Sequence, residues 1–370
     1  MEGGLGFPRA ESKGSEAARL RLQVPGDLLT VSEHGLECPL GGFHIDPWGS
    51  VPLAVVTHAH GDHARPGSQR YIAAARGIGL LRRRLGPDAV IEGMEYGERR
   101  RLGNVMVSLH PAGHVLGSAQ IRVESADTVW VASGDYKRQP DPTAEALEPL
   151  RCHVFITEAT FALPIYRWEA PTTTVAEIWS WWQQNASAGK ASLLFCYALG
   201  KAQRILAELL RYTEQEVLVH GAIEHLVDEY RRAGVRLLPT RRVTDEPLDV
   251  AGNRRRRAER RSYAGELIIA PPSAAGSPWV RRFGPKAAAD TAFASGWMRV
   301  RGIRRRRGYD RGFVMSDHAD WDDLLRTIAE TGAQRVLTTH GYADILARHL
   351  RSQGQEAQAL TTPFGAEEDD

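Results

Sequence analysis

The segment VPLAVVTHAHGDH, Val51 to His63, joins a continuous apolar run to four potential metal ligands within six residues. The apolar part, Val51–Thr57, predicts a buried β-strand. The polar part that follows cannot belong to the core, and an exposed turn rarely holds three histidines beside an aspartate. Imidazole and carboxylate groups suit zinc, manganese or iron. In a loop that leaves a strand, His58 and His60 can converge on one ion, while Asp62 and His63 face a second.

Three further segments share this context of a strand end followed by glycine or a polar break. They are PAGHVLGS with His114, ASGDYKR with Asp135, and LTTHGYAD with His340. Taken alone, each residue fits an ordinary turn or helix cap equally well. Together they supply what a site for two ions still lacks, including a carboxylate, Asp135, to bridge the ions.

The composition indicates a globular protein of one or two domains, with 370 residues of which 42% are hydrophobic. No apolar run approaches the ~20 residues of a membrane span, and the first residues lack the apolar region of a signal peptide. We therefore expect a flexible tail over residues 1–22, no membrane association and a cytoplasmic location. Three cysteines at irregular spacing provide no disulfide framework and no CxxC metal motif.

The pattern of apolar residues changes twice along the chain. Up to about residue 160 it predicts many short strands, among them VMVSLH, SAQIRVES and TVWVA. Beyond 165, strands alternate with predicted helices at Thr173–Gln184, Gly200–Tyr212 and Ile223–Ala233, which indicates a parallel α/β unit. Near 310, short strands that end in histidine return, in GFVMSDHAD and RVLTTHG.

The basic residues are unusual, because 42 of the 47 are arginine. They form four clusters: Arg82–Arg84, Arg99–Arg101, Arg254–Arg257 with Arg260 and Arg261, and Arg304–Arg307. Each cluster fits a solvated face or a phosphate-binding surface, since the guanidinium fork matches phosphate oxygens. The last six residues, GAEEDD, are acidic.

Three residues of the predicted α/β unit are candidates for nucleic-acid contacts. Lys201 follows Gly200 at a predicted helix start, a natural position for anion binding, although an ordinary helix start fits as well. We expect Lys201 and Arg204 to guide a nucleic-acid backbone. Trp297 fits a buried aromatic residue better than a platform for base stacking.

In this order, the motifs HAHGDH, AGHVLGS, SGDY, TEAT, SDHAD and THG resemble those of the β-CASP nucleases, a branch of the metallo-β-lactamase superfamily. The resemblance covers about residues 30–345. Within this family, the chain is most similar to the bacterial DNA-ligase-associated exonucleases. This similarity lies in the segments CPLGGFHIDPW, SGWMRVRG and SDHADWDDLL. The implied fold class is α/β, a metallo-β-lactamase αββα sandwich with an inserted β-CASP α/β domain. The implied boundaries are 23–165 and 311–352 for the sandwich, 166–310 for the insertion and 353–370 for a C-terminal tail.

The resemblance also implies roles for the site residues. Seven would hold two divalent metal ions, zinc in preference to manganese: His58, His60 and His114 at one ion, Asp62, His63 and His340 at the other, and Asp135 bridging. Asp46 would orient the histidine loop from behind the ligands. His318 would contact the scissile phosphate and act in catalysis together with Glu158 and Asp62. Either Glu158 or Asp317 would then hold the tautomer of His318.

The implied function is phosphodiester hydrolysis, with a single-strand DNA exonuclease of 5′-to-3′ polarity in DNA repair as the preferred hypothesis. An RNA-processing nuclease is the alternative, because a histidine at His340 is typical of RNA-directed β-CASP enzymes, although the ligase-associated family carries it too. A small-molecule metallohydrolase fits the insertion and the arginine clusters less well, and a binding module without activity would not need the full ligand set. The expected partners are single-stranded DNA, with RNA as the alternative, and an ATP-dependent DNA ligase with a helicase.

Overall fold

A computed structural model describes residues 27–126, 128–243, 263–302 and 308–361 of the chain. The predicted tail over 1–22, the arginine clusters at 254–261 and 304–307, and the acidic GAEEDD segment lie outside these residues. None of the helices in the described ranges combines the length and the apolar character that crossing a membrane requires.

The first sheet has six strands that follow one another in chain order. Its strands are β1 Thr30–Ser32, β2 Gly35–Cys38, β3 Phe43–Ile45, β4 Leu53–Val55, β5 Arg70–Ala74 and β6 Ile91–Met94. The first three are antiparallel, and pairing is parallel from β3 onwards. Helix α1, Ile78–Leu85, connects β5 to β6.

The second sheet has seven strands in the order β19-β18-β11-β10-β9-β8-β7. Its strands are β7 Arg99–Leu102, β8 Val105–Pro111, β9 Ala119–Ser125, β10 Thr128–Ala132, β11 Val154–Glu158, β18 Arg335–Thr339 and β19 Glu356–Ala359. Two helices accompany it, α5 Trp321–Thr331 and α6 Ala343–Ser352. Because β10, β11 and β18 are parallel, their carboxyl ends meet at one edge of this sheet.

The two sheets pack face to face, since one apolar cluster contains residues of both, such as Val55 and Ile72 with Val107 and Ile121. On the outer face of the first sheet, α1 packs through Leu80, Leu81 and Leu85. On the outer face of the second, α5 and α6 pack against β11 and β18. Each sheet thus buries one face on the other and one face under helices, and the result is the expected αββα sandwich.

A third sheet lies between β11 and α5 in the sequence, and all its strand pairs are parallel. Its order is β14-β13-β15-β12-β16-β17. The strands are β12 Ala191–Phe195, β13 Val217–Val219, β14 Thr240–Arg242, β15 Leu267–Ala270, β16 Ala289–Ala294 and β17 Arg311–Phe313. The accompanying helices are α2 Pro171–Ser187, α3 Lys201–Glu208 and α4 Gly221–Arg232. Apolar clusters cover both faces of the sheet, as expected for a parallel α/β unit.

Short 3₁₀ helices occupy several connections of the described chain: Ala75–Gly77, Leu209–Arg211, Pro272–Ala274, Pro278–Phe283, Lys286–Ala288 and Gly296–Arg299. The one at Leu209–Arg211 continues α3, so the predicted helix Gly200–Tyr212 is α-helical only to Glu208. The three cysteines are buried and free.

Two predicted boundaries are wrong. Strand β17 pairs with β16, so the inserted sheet extends to Phe313 rather than ending at 310. Strand β19 pairs with β18 and buries Ala357, so the sandwich continues beyond 352 into the segment predicted as a tail. In both cases the hydrogen-bonding partner decides which sheet a short strand joins, and the local sequence does not contain that information.

Candidate metal centre

The predicted ligands come together where strands of both sandwich sheets end. The apolar run that begins at Val51 becomes strand β4 only over Leu53–Val55, and the HAHGDH loop follows it. His114 lies in the loop between β8 and β9, Asp135 follows β10, and His340 follows β18. The ends of these strands therefore place side chains that are far apart in sequence at one edge of the molecule.

Three histidine nitrogens converge at the first ligand group. Nδ1 of His60 lies 3.0 Å from Nε2 of His58 and 3.0 Å from Nε2 of His114. Imidazole nitrogens bind zinc at about 2.0–2.1 Å, so nitrogens that share an ion lie roughly 3–3.5 Å apart. These three nitrogens, together with an oxygen of Asp135, have the spacing of a metal-binding set.

The second group consists of Asp62, His63 and His340, whose candidate ligand atoms all lie within 4.8 Å of one another. Oδ2 of Asp135 stands between the two groups, 3.5 Å from Nε2 of His58 and 3.4 Å from Nε2 of His63. Among the described residues, Nε2 of His63 is buried and makes no well-directed hydrogen bond, although Oδ2 of Asp62 lies 3.3 Å from it. A cation between these buried groups would satisfy the imidazole nitrogen and the carboxylates together. The donor set thus fits two divalent ions.

Hydrogen bonds behind the ligands orient the rings. Nδ1 of His63 lies 2.7 Å from Oδ2 of Asp46, and the same carboxylate accepts hydrogen bonds from the backbone N–H and the hydroxyl of Thr57. His114 donates from Nδ1 to the backbone carbonyl of Asp317 at 2.6 Å. Such contacts select the tautomer that presents the other nitrogen to a metal. Thr57 was missed by the sequence analysis, although it directly precedes the first ligand.

The protonation tendencies fit this arrangement. Burial lowers the pKa of His58 and His114 well below the ordinary value, with neighbouring histidines acting in the same direction, so both rings are neutral bases. Burial would raise the pKa of Asp135, but the nearby His63 holds it well below the usual range. Burial would also lower the pKa of His63, but the carboxylates of Asp62, Asp135 and Asp46 raise it well above the ordinary value. The neutral imidazoles of the centre are therefore those of the first ligand group.

Two residues of the site adopt left-handed backbone conformations, which are rare outside glycine. The φ angle is +43° at Asp46 and +59° at His340. Such conformations persist where the surrounding structure enforces them, and they cluster at functional sites. In this protein, these backbone conformations set the direction in which the Asp46 carboxylate and the His340 ring project.

Beside the metal ligands, His318 and Glu158 form a buried pair. Oε2 of Glu158 lies 2.9 Å from Nδ1 of His318, and its Oε1 accepts a hydrogen bond from the backbone N–H of Tyr136. A carboxylate only accepts hydrogen bonds, so Nδ1 of His318 carries the proton of this contact. The residue that contacts Nδ1 of His318 is Glu158 and not Asp317, the other residue expected to hold this tautomer. The carboxylate of Asp317 contacts other side chains instead.

A cavity of about 260 Å³ opens onto this centre between the sandwich and the insertion. The HAHGDH loop and α1 form one wall, and the loops after β12 and β16 of the insertion form the other. Asp135 and His318 also line it. The metal centre therefore has direct access to a ligand-sized space bounded by both parts of the chain.

The predicted nucleic-acid contacts require a correction at Arg204. Its side chain is fully buried, donates to the carbonyl of Ser316 and lies 3.4 Å from Oδ1 of Asp317, so it cannot reach a polynucleotide. Lys201 lines the cavity at the start of α3, but its Nζ is 2.9 Å from Oδ2 of Asp317. All eight residues of α3 are buried, and this packing places both cations against Asp317. Trp297 is buried against Phe161, as the preferred interpretation predicted.

Asp317 is the centre of a buried charge cluster that the sequence analysis did not anticipate. Besides Lys201 and Arg204 it faces Lys137, at 3.6 Å, and Lys137 also pairs with Asp141 at 2.5 Å. These residues come from the sandwich, the insertion and the segment that re-enters the sandwich. The cluster thus ties the insertion to the metal centre.

A binuclear ligand set at the strand ends of an αββα sandwich defines the metallo-β-lactamase class of metal-binding proteins. The chain is 31% identical over 329 residues to a probable DNA ligase of Opitutus terrae, which covers 88% of this chain and 30% of that protein. It is 31% identical over 127 residues to endoribonuclease YSH1 of Gibberella zeae, covering 33% of this chain and 15% of that protein. It is 32% identical over 132 residues to cleavage and polyadenylation specificity factor 73 of Drosophila melanogaster, covering 35% and 19%.

The chain belongs to the β-CASP family of metallo-β-lactamase-fold proteins. It spans less than a third of the length of these curated relatives. A crystal structure of a protein of unknown function from Enterococcus faecalis V583 shares the fold, with a TM-score of 0.53, 12% identity and coverage of 85% of this chain and 80% of that one. No family model matches the chain.

Proposed function

We propose that the protein is a metal-dependent nuclease that hydrolyses phosphodiester bonds. One observation carries the proposal: Asp135 stands between two ligand groups and lines a cavity that is also lined by His318, the ring held by Glu158. The ligand set suits two divalent ions, zinc in preference to manganese. When bound, such ions lower the pKa of water and neutralise charge that develops on a phosphate.

The chain's own residues supply the remaining chemistry. His318 faces the cavity, and its Nδ1–H is held by Glu158, so Nε2 is the atom that delivers a proton to the leaving oxygen. The negative charge of Glu158 stabilises the protonated ring before this transfer. Asp135, whose Oδ2 lies 4.0 Å from Nδ1 of His318, and Asp62 add negative charge that helps hold the cations.

The substrate that we favour is single-stranded DNA, degraded from a free end with 5′-to-3′ polarity during repair. The similarity to a protein described as a probable DNA ligase extends over 88% of this chain, and it supports action beside an ATP-dependent ligase and a helicase. RNA is the second candidate, because the relatives described as an endoribonuclease and as a cleavage and polyadenylation factor match about a third of the chain.

The test is digestion of single-stranded DNA and RNA of matched sequence, labelled at either end, with zinc or manganese supplied. We expect the DNA to be degraded faster, with the 5′ label released first as a short product. Asp135→Asn should abolish digestion of both polymers, because it weakens the carboxylate shared by the two ligand groups. Faster digestion of RNA would select the second candidate, and intact polymers under all conditions would refute the nuclease assignment.

A further inference from the structure

Three cationic side chains line the metal cavity, and two of them already have a carboxylate partner. Lys201 pairs with Asp317 at 2.9 Å, and Arg83 pairs with Glu229 at 2.8 Å. Arg84, also in the cavity wall, makes no ion pair or hydrogen bond within the described ranges of the chain. Its guanidinium is therefore the cation of this cavity that can take up an anion without breaking an existing pair.

The position of Arg84 relative to the metal loop is close and specific. Its guanidinium lies directly over Gly61, the residue between His60 and Asp62, and a methyl group added to Gly61 would collide with Nη2. The absent side chain at Gly61 thus permits a cation to approach the HAHGDH loop. Bound metal ions would repel this positive charge, so an anion shared between the ions and Arg84 would be favoured.

Helix α1 holds Arg84 in this position. Leu81 and Leu85, its neighbours on the helix, are buried under the first sheet, so the backbone that carries the arginine is fixed. Arg84 lies in the last turn of α1, where the helix dipole favours a cation. The neighbouring Arg82 is exposed on the same helix but does not line the cavity.

We infer that Arg84 binds a backbone phosphate of the substrate strand next to the phosphate that is cleaved. The inference rests on the proposed nuclease function and names a contact that positions its substrate. The guanidinium fork donates two parallel hydrogen bonds to phosphate oxygens, which an ammonium group cannot do. Arg84 thereby takes the role that the sequence suggested for Lys201 and Arg204, which are both paired with Asp317.

The experiment compares Arg84→Ala, Arg84→Lys and the matched control Arg82→Ala. Affinity for a single-stranded DNA 12-mer is measured against salt concentration in a metal-loaded His318→Ala background, where cleavage is slow. For Arg84→Ala we expect a loss of about tenfold in affinity and a salt slope that is less steep by about 0.7, the value for one phosphate contact on a single strand. Arg84→Lys should recover part of the affinity, and Arg82→Ala should leave both quantities unchanged.

A second measurement separates substrate binding from damage to the metal loop. With His318 intact, Arg84→Ala should raise KM about tenfold with little change in kcat, and its metal content should equal that of the wild type. Unchanged affinity and salt slope, an equal loss in Arg82→Ala, or loss of metal would each overturn the role of Arg84 while leaving an active nuclease. A wild-type protein that digests no polynucleotide would instead remove the proposed function on which the inference rests.

Discussion

Oε2 of Glu158 lies 2.9 Å from Nδ1 of His318 although 160 residues separate them in the sequence. Glu158 ends strand β11, and His318 follows the last strand of the inserted sheet. The pair forms only when the chain returns from the insertion to the sandwich. Assembly of this buried pair therefore depends on correct docking of the insertion.

Replacement of His318 by alanine should lower turnover by ~10²–10⁴, the usual contribution of a general acid. His318 also stands within ligand distance of Asp135 and Glu158, but the two ligand groups around His60 and His63 are complete without its ring, so the metal content should stay the same. Steady-state kinetics and elemental analysis on the same preparation measure both quantities. Alanine at His225, an exposed histidine outside the metal cavity, serves as the control. Loss of metal in the His318 variant would instead identify it as a ligand.

Removal of the metal ions should lower the stability of the fold, because the ligands belong to distant strands that only the folded chain brings together. An ion held at one hundred times its dissociation constant contributes about 2.7 kcal/mol. Thermal unfolding with and without a chelator measures this difference. Elemental analysis of His340→Ala should show about one ion per chain where the wild type holds about two. An unchanged melting temperature after chelation would contradict the prediction.

Substitution of Gly341 by alanine should disturb the site through the backbone. Gly341 has a φ of +47°, and an added Cβ would lie 2.5 Å from Cα of Thr160 and 2.6 Å from the carbonyl oxygen of Ala159. Gly354→Ala is the matched control, since its φ is +84° but the space around it is open. The control should cost about 1–2 kcal/mol of unfolding free energy, for the backbone conformation alone.

The Gly341 variant should lose more stability than this control in urea unfolding, and it should bind less metal because His340 precedes the altered residue. Equal destabilisation of the two variants would show that the Thr160 segment moves aside freely.

The buried Asp141 should contribute to the loss of stability in acid. Burial would raise its pKa, but Lys137 and Arg204 hold the pKa below the ordinary value of 3.8. Because the unfolded chain takes up the proton first, the stabilisation is complete above about pH 4 and is lost as the pH falls through the pKa of the folded state. Asp141→Asn should therefore be less stable near neutral pH and lose less stability below about pH 4.

Urea unfolding from neutral to acid pH, with chelator present throughout, measures this dependence without interference from metal release. Asp322→Asn, which alters a side chain that is 61% exposed, is the control and should follow the wild type. A parallel loss of stability in Asp141→Asn and the wild type below about pH 4 would contradict the assignment.

Local patterns predicted much of this architecture. The spacing of apolar residues indicated short strands in the sandwich. The change in that spacing near residue 165, where predicted helices begin to alternate with strands, indicated the parallel insertion. The α/β fold class and the β-CASP family are confirmed by the sheets and by the comparisons with known proteins. Helix ends were less accurate, as with α2, which runs from Pro171 to Ser187 rather than from Thr173 to Gln184.

Other features depended on contacts between distant segments. The burial of Arg204 follows from the face that α3 turns towards Asp317, 113 residues further on. The membership of β17 and β19 in their sheets follows from the strands that they pair with. By sequence, the cluster that contains Arg84 fits a solvated face as well as a phosphate-binding surface. In the structure, the position of Arg84 over Gly61 distinguishes it from Arg82.

The amino-acid sequence alone determined which residues are chemically suited to bind cations, because ligand type and the spacing within HAHGDH are local properties. Only the tertiary structure decided which charges remain available to a substrate. Packing decides which carboxylate lies near a cation, and the carboxylate partners of Lys201, Arg83 and Arg204 lie on other elements of the chain.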